Sequence, residues 1–130
     1  MNEPVHITDI AGRRASSLPL SPAVTACDLV FCAGQVGFRP GTTELVDGGI
    51  EEQTRQTLEN LSSVLEAAGS SLNRVVKTLV FLADPSDFAA FNGVYRTFFA
   101  ENRFPARSTL QAGFVAPGVL VEIECVALRA

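Results

Sequence analysis

The sequence predicts an α+β domain in which two helices pack on one face of a single mixed sheet. Three observations lead to this fold class. Short apolar and β-branched segments are typical of strands, two longer segments have helical periodicity, and strands both precede and follow the helices. The 130 residues suffice for one domain, spanning 1–130, whose core needs neither disulfides nor a metal ion.

The first half of the chain is predicted to contain short strands and one helix. Ser and Pro turns make 1–22 largely irregular. Apolar runs predict strands at 5–8, 24–25 and 29–33. In 50–68, apolar residues recur every three or four positions, which is the spacing of an amphipathic helix. Glu51 and Glu52 fall in its first turn, where the helix dipole favours negative charge, and Gly69 is typical of a residue that ends a helix.

The second half is predicted to contain a strand, a helix and two further strands. The β-branched run at 74–83 predicts the first strand. Asp84 and Pro85 fit the cap and first position of a helix that continues until 103–105. Its buried face is predicted to consist of Phe88, Phe91, Tyr95, Phe98 and Phe99. The final strands are predicted at 107–112 and 120–128.

The last strand alternates between two kinds of face. Its odd positions from 121 to 127 are apolar, while Glu122 and Glu124 point the other way beside Val126 and Leu128. A face that carries both carboxylates and apolar side chains is expected to be covered by another copy of the chain. Only 18% of the residues are charged, and the mean hydropathy is +0.24, which also favours self-association.

Composition excludes several classes of function. The net charge of −4 and the lack of a basic stripe argue against nucleic-acid binding. No apolar stretch is long enough to cross a membrane, and the polar segment 1–10 is unlike a signal peptide, so we expect a cytoplasmic protein.

The three cysteines are expected to be free thiols that act as small buried hydrophobes. His6 is the only histidine, so we expect no metal ion of the usual zinc type and no Ser-His or Cys-His pair unless a neighbouring subunit supplies the histidine.

Arg107 and Glu122 carry most of the chemistry that the sequence offers. Arg107 follows the Phe104-Pro105 turn at the start of a predicted strand, and Glu122 lies in the next one. A guanidinium is a planar fork suited to a small carboxylate, and a half-buried carboxylate can activate water. We expect the two residues on adjacent strands, facing a crevice where two protomers meet. A salt bridge between them that only organises the interface is the alternative.

Several short segments occur in an order and spacing that together are highly specific. They are 28–31 with 34–35, 52–56 with 58–61, 65–69, 76–82, 87–95, 104–108 and 121–124. In these segments the chain resembles the Rid family (reactive intermediate deaminases, also called YjgF) over nearly its full length. The resemblance implies a chorismate-mutase-like fold and a homotrimer with its sites at subunit interfaces.

The resemblance also implies an activity and its residues. Family members of this type hydrolyse enamine or imine intermediates, such as 2-aminoacrylate and 2-iminobutanoate, to a 2-keto acid and ammonia without a cofactor. By resemblance, Arg107 binds the substrate carboxylate and Glu122 positions the attacking water. Gly34 corresponds to a backbone contact with the substrate, and Asn92 to a pocket residue.

Two residues depart from the family pattern. Both are expected at the substrate pocket: Leu20 stands where many deaminating members have a tyrosine, and Ala33 stands where a serine is usual. Thr109 is an ordinary residue at its position, and its hydroxyl is expected to contact the substrate. The two missing hydroxyls leave a second hypothesis open, a non-catalytic trimer that binds a small carboxylate in the same pocket. A third, ribonuclease activity, is disfavoured by the acidic composition and the single histidine.

Overall fold

The structure, a computed structural model, describes residues 3–130, so the first two residues of the segment predicted to be irregular lie outside it. Its strands are β1 (Val5–Ile7), β2 (Asp9–Ile10), β3 (Arg13–Arg14), β4 (Ala23–Ala26), β5 (Leu29–Gln35), β6 (Val75–Leu82), β7 (Ala106–Gln111) and β8 (Val121–Leu128). Its α-helices are α1 (Ile50–Ala67) and α2 (Phe88–Tyr95). The element order confirms the predicted α+β class.

Six strands form one mixed sheet in the order β1-β4-β5-β8-β6-β7. Neighbouring strands are antiparallel except for β6 and β7, which are parallel. Parallel strands need a crossover connection, and α2 lies within that connection. The predicted mixed sheet is therefore confirmed. A second, two-stranded sheet of β2 and β3, which the sequence pattern did not indicate, lies between β1 and β4 in the chain.

Both helices lie on one side of the sheet, which we call the helix face. Helix α1 packs on β5 and β8, and α2 packs on α1. Leu58, Leu61 and Leu65 of α1 are completely buried and share the core with Val30 and Ile123 of the sheet. Burying each such side chain contributes about 1.5–3 kcal/mol, so this stripe holds the helix on the sheet. The predicted apolar stripe of α1 is confirmed.

The second helix is shorter than the sequence predicts. Helix α2 has eight residues and is flanked by 3₁₀ turns at Pro85–Asp87 and Arg96–Phe98. Asp84 does cap the first of these turns, because its carboxylate accepts a hydrogen bond of 2.9 Å from the Ser86 N–H. Phe99 is already extended, with φ of −129°. The aromatic stripe continues past the end of the helix, and its periodicity therefore suggested too long an element.

The opposite side of the sheet, which we call the open face, carries the glutamates of β8. Within residues 3–130 no helix covers it. Phe31, Leu110 and Leu128 lie on this face and are 45%, 47% and 41% exposed. The predicted alternation of β8 is confirmed, since Glu122 and Glu124 share this face with apolar neighbours. That another copy of the chain covers it stays a prediction.

The three cysteines are free thiols in different environments. Cys32 and Cys125 are buried and directly opposite each other on β5 and β8. A hydrogen bond with Cys32, together with burial, raises the pKa of the Cys125 thiol, which keeps it protonated. Cys27 is exposed in a turn with φ of 54°, so the prediction that it is buried is wrong. A turn residue can be apolar without facing the core.

Candidate functional site

Arg107 lies on the edge strand β7, with its side chain on the helix face. It follows Pro105 and pairs with Thr78 of the parallel strand β6. Because paired residues share a face, Arg107 points toward α2. Its guanidinium carbon lies 4.8 Å from the ring centre of Tyr95, and 5.4 and 5.6 Å from those of Phe91 and Phe88. These distances are within the range of cation–π contacts, so three rings hold a half-buried cation in place.

Tyr95 connects this aromatic group to the sheet. Its hydroxyl lies 2.8 Å from the Thr78 hydroxyl, and both residues are buried. Burial raises the pKa of Tyr95, so its phenol is neutral and can donate a hydrogen bond to Thr78 while accepting one from Arg107. From the sequence, Tyr95 is predicted only as a core residue. Its one available signal is that the chain's single tyrosine interrupts a stripe of phenylalanines.

A cavity of about 270 Å³ opens beside the Arg107 guanidinium. Its walls are formed by Asn92, Tyr95, Arg96, Phe104, Pro105 and Arg107. Pockets for drug-sized ligands have roughly 300–1,000 Å³, so this volume suits a smaller molecule. Among the residues predicted from the sequence, Arg107 and Asn92 line this cavity together. Arg96, Phe104 and Pro105 were not predicted as site residues.

Glu122 lies on the central strand β8 and faces the open side of the sheet. It pairs with Phe81 of β6 and is half-buried. Burial raises its pKa, and the nearby charge of Glu124 raises it further. Its carboxyl group lies against Gly34, where a Cβ atom would come within 2.8 Å of the Glu122 carboxyl carbon. Only glycine leaves room for the carboxylate in this position, so Gly34 and Glu122 form one structural unit.

The prediction that Arg107 and Glu122 occupy adjacent strands is wrong. Strand β6 lies between β7 and β8, and the two side chains point to opposite faces of the sheet. The crossover through α2 puts β7 at the edge, whereas β8 returns antiparallel between β5 and β6. Within a single chain these residues therefore belong to two separate sites.

The other three predicted residues do not line the cavity. Thr109 pairs with the buried Val80 and lies on the helix face two residues beyond Arg107, outside the cavity walls. Ala33 precedes Gly34 on β5, and its N–H donates a hydrogen bond of 2.9 Å to the Pro22 carbonyl. Leu20 is 50% exposed in the loop before β4.

The described residues contain neither a cluster suited to a metal ion nor a helix suited to a membrane. In residues 3–130, no three His, Cys, Asp or Glu side chains are grouped so that they could hold a metal ion. Neither described helix combines the length and the hydropathy that a membrane crossing requires.

Comparison with known proteins gives concordant matches. The model of the family described as Endoribonuclease L-PSP matches residues 12–129. A RutC family protein of Pyrococcus horikoshii is 46% identical over 111 residues, which cover 85% of this chain and 87% of the relative. The 2-iminobutanoate/2-iminopropanoate deaminase of mouse is 42% identical over 111 residues, or 85% of this chain and 82% of the relative. The crystal structure of the Rid family protein YyfA from Yersinia pestis has a TM-score of 0.87 at 34% identity, covering 97% of this chain and 99% of that one.

Proposed function

Because the chain belongs to the Rid (YjgF) family, whose model is described as Endoribonuclease L-PSP, we propose that it hydrolyses reactive imines of 2-keto acids. The substrates would be 2-aminoacrylate, 2-iminobutanoate or similar compounds, and the products a 2-keto acid and ammonia. The observation that carries this proposal is the Arg107 guanidinium, which three aromatic rings hold beside a small cavity. The deaminase names of mammalian relatives at about 40% identity support the same activity.

Arg107 binds the substrate carboxylate in this proposal. The planar guanidinium donates two parallel hydrogen bonds to a carboxylate, a charge-assisted interaction that contributes about 1.5–3 kcal/mol net. The Tyr95 ring and the Thr78–Tyr95 hydroxyl pair restrict the guanidinium before any ligand binds. Little ordering entropy is then lost on binding, which favours a site of so few polar groups. Asn92 adds an amide to the same cavity.

Glu122 activates the attacking water. An enamine first tautomerises to the imine, and water then adds to the imine carbon while the Glu122 carboxylate accepts one of its protons and passes it to the nitrogen, which gives a carbinolamine. Glu122 next accepts the hydroxyl proton as the C=O bond forms and the C–N bond breaks, and it passes this proton to the nitrogen, which leaves as ammonia. The raised pKa of Glu122 supports this role, because a more basic carboxylate accepts a proton more readily. Gly34 keeps the carboxylate in position.

One active site would take Arg107 from one protomer and Glu122 from another. The two side chains point to opposite faces of the sheet, so they can act on one small molecule only if the chain self-associates. The exposed apolar residues of the open face support such an association, since large apolar patches of this kind mark protein interfaces. We propose a homotrimer, as the resemblance implies, whose interfaces bring the two residues together.

The activity is tested by generating the unstable imine enzymatically in the assay mixture. A threonine dehydratase supplies 2-iminobutanoate, and release of 2-oxobutanoate is followed with and without the protein. We expect faster release with the protein and a loss of about 10- to 100-fold in kcat/KM for Arg107→Ala, because the carboxylate then has no cationic partner. Arg103→Ala, which changes an exposed arginine outside the cavity walls, should keep full activity.

Two outcomes would count against the proposal. If the wild-type protein does not accelerate 2-oxobutanoate release over buffer but is thermally stabilised by 2-oxobutanoate, the pocket binds carboxylates without turnover. If Arg107→Ala and the wild-type protein are equally active, the catalytic site lies elsewhere.

A further inference from the structure

The cavity beside Arg107 has a second cation in its wall. Arg96 lines it together with Arg107, and the other four wall residues are an amide, a phenol, a phenylalanine and a proline. The wall therefore carries two positive charges and no carboxylate, although the whole chain has a net charge of −4. Such a concentration of cations on an acidic protein identifies the cavity as its anion-attracting region.

Neither cation is neutralised by the described part of the chain. In residues 3–130 the one ion pair within 4 Å joins Arg39 and Asp47, away from this cavity. Arg107 instead contacts aromatic rings and can donate one hydrogen bond to the Tyr95 hydroxyl, which leaves its other N–H donors available to a ligand. A substrate with one carboxylate would satisfy Arg107 and leave the charge of Arg96 without a counterion.

The backbone fixes the position of the Arg96 Cα atom. It follows Tyr95 directly, as the first residue of the 3₁₀ turn at Arg96–Phe98. Tyr95 is buried and hydrogen-bonded to Thr78, so the Cα atom of Arg96 is anchored at the rim of the cavity. The side chain is exposed and long, so its guanidinium can close over a bound molecule from the solvent side.

We propose that this cavity selects 2-imino acids that carry a second carboxylate, of four or five carbons, with Arg107 binding the carboxylate next to the imine and Arg96 the distal one. This inference rests on the proposed function and narrows its substrate class. A dicarboxylate neutralises both guanidinium groups, and the volume of about 270 Å³ admits a molecule of this size. Because Arg96 is exposed, its contribution is modest, about a five- to tenfold preference.

Binding of the product 2-keto acids tests the inference directly. The matched ligands are 2-oxoglutarate and 2-oxopentanoate, which share the 2-keto acid group and the chain length but differ in the distal carboxylate. Titration calorimetry at low salt should show about five- to tenfold tighter binding of 2-oxoglutarate by the wild-type protein. Arg96→Gln should abolish that preference and change the affinity for 2-oxopentanoate by less than about twofold, whereas Arg103→Gln should preserve it.

Turnover separates the failure of this inference from failure of the proposed function. An L-amino-acid oxidase generates 2-iminoglutarate from glutamate and 2-iminopentanoate from norvaline, and keto-acid release is compared for both. Hydrolysis of both imines with equal kcat/KM, or an unchanged preference in Arg96→Gln, overturns the dicarboxylate inference and leaves the deaminase proposal intact. Preferential binding of 2-oxoglutarate without turnover of either imine supports the ligand class and overturns the deaminase. Absence of binding and of turnover overturns both.

Discussion

The two halves of the proposed site differ in how the chain holds them. Arg107 lies on an edge strand, on the helix face, where rings of α2 and a buried hydroxyl pair restrict it. Glu122 lies on a central strand, on the open face, where a glycine makes room for it. The cation is positioned by packing within its own chain, whereas the carboxylate faces a surface that the described chain leaves uncovered.

This difference indicates which half of the proposed site depends on self-association of the chain. The environment of Arg107 is formed by residues of its own chain, so the cavity beside it exists in a single protomer. Burial already raises the pKa of Glu122, and cover by a second copy would strengthen that desolvation. Carboxylate binding should therefore be a property of the protomer, and water activation a property of the assembly.

The largest effect is expected when two inactive variants are mixed. Arg107→Ala and Glu122→Gln each remove one half of the site and should each lose most activity. If sites form between protomers, unfolding the two variants together and refolding them at equal amounts creates some sites with both residues intact. Random assembly then restores up to about a quarter of wild-type activity, measured as 2-oxobutanoate release. Refolding each variant alone is the control, and no gain on mixing would show that the two residues do not share a site.

Gly34→Ala tests how the carboxylate is held. The added Cβ would overlap the Glu122 carboxyl group and force that side chain to rotate away. We expect kcat to fall about 10- to 100-fold while KM changes little. The substrate carboxylate binds to Arg107, and only Glu122, which activates the water, is moved by the substitution. Gly93→Ala is the matched control, since a Cβ there meets nothing within 4 Å and should leave both constants unchanged. An equal loss in both variants would exclude the contact with Glu122 as the cause.

Local sequence patterns predicted which face of each strand or helix is buried. They did not predict which strands lie next to one another in the sheet. The alternation of β8 correctly assigned Glu122 to the face opposite Ile123, and helical spacing identified the buried side of α1. The strand order was not encoded in any such pattern. The parallel pairing of β6 with β7 leaves room for β8 between β5 and β6, and this arrangement separates Arg107 from Glu122.

The role of Tyr95 was hidden for a different reason. An aromatic residue in an aromatic stripe packs in the core with or without a hydroxyl, so periodicity alone does not distinguish tyrosine from phenylalanine. Only the register that pairs Thr78 with Arg107 reveals that the hydroxyl has a polar partner beside the cation.

Removing the Tyr95 hydroxyl should loosen the cation without abolishing activity. Tyr95→Phe keeps the ring beneath Arg107 but leaves the buried Thr78 hydroxyl without its partner, which costs about 1–2 kcal/mol of stability. We expect KM to rise about three- to tenfold at nearly constant kcat. Adding Thr78→Val removes the unpaired hydroxyl and should recover part of the stability while KM stays high. Recovery of KM together with stability would instead reduce Tyr95 to a purely structural residue.

The smallest expected effect concerns the carboxylate and its pH dependence. Because the folded state raises the pKa of Glu122, the protonated form stabilises folding at low pH, and that contribution is lost as the pH rises through the raised pKa. Glu122→Gln is uncharged at every pH, so its Tm should exceed that of the wild type by about 1–3 °C at pH 8 and equal it near pH 4. Removing the neighbouring charge in Glu124→Gln should move the wild-type transition to lower pH, whereas the exposed Glu66→Gln should not. A Tm difference that does not change with pH would show that the fold does not destabilise the ionised form of Glu122. It would count against Glu122 as the base.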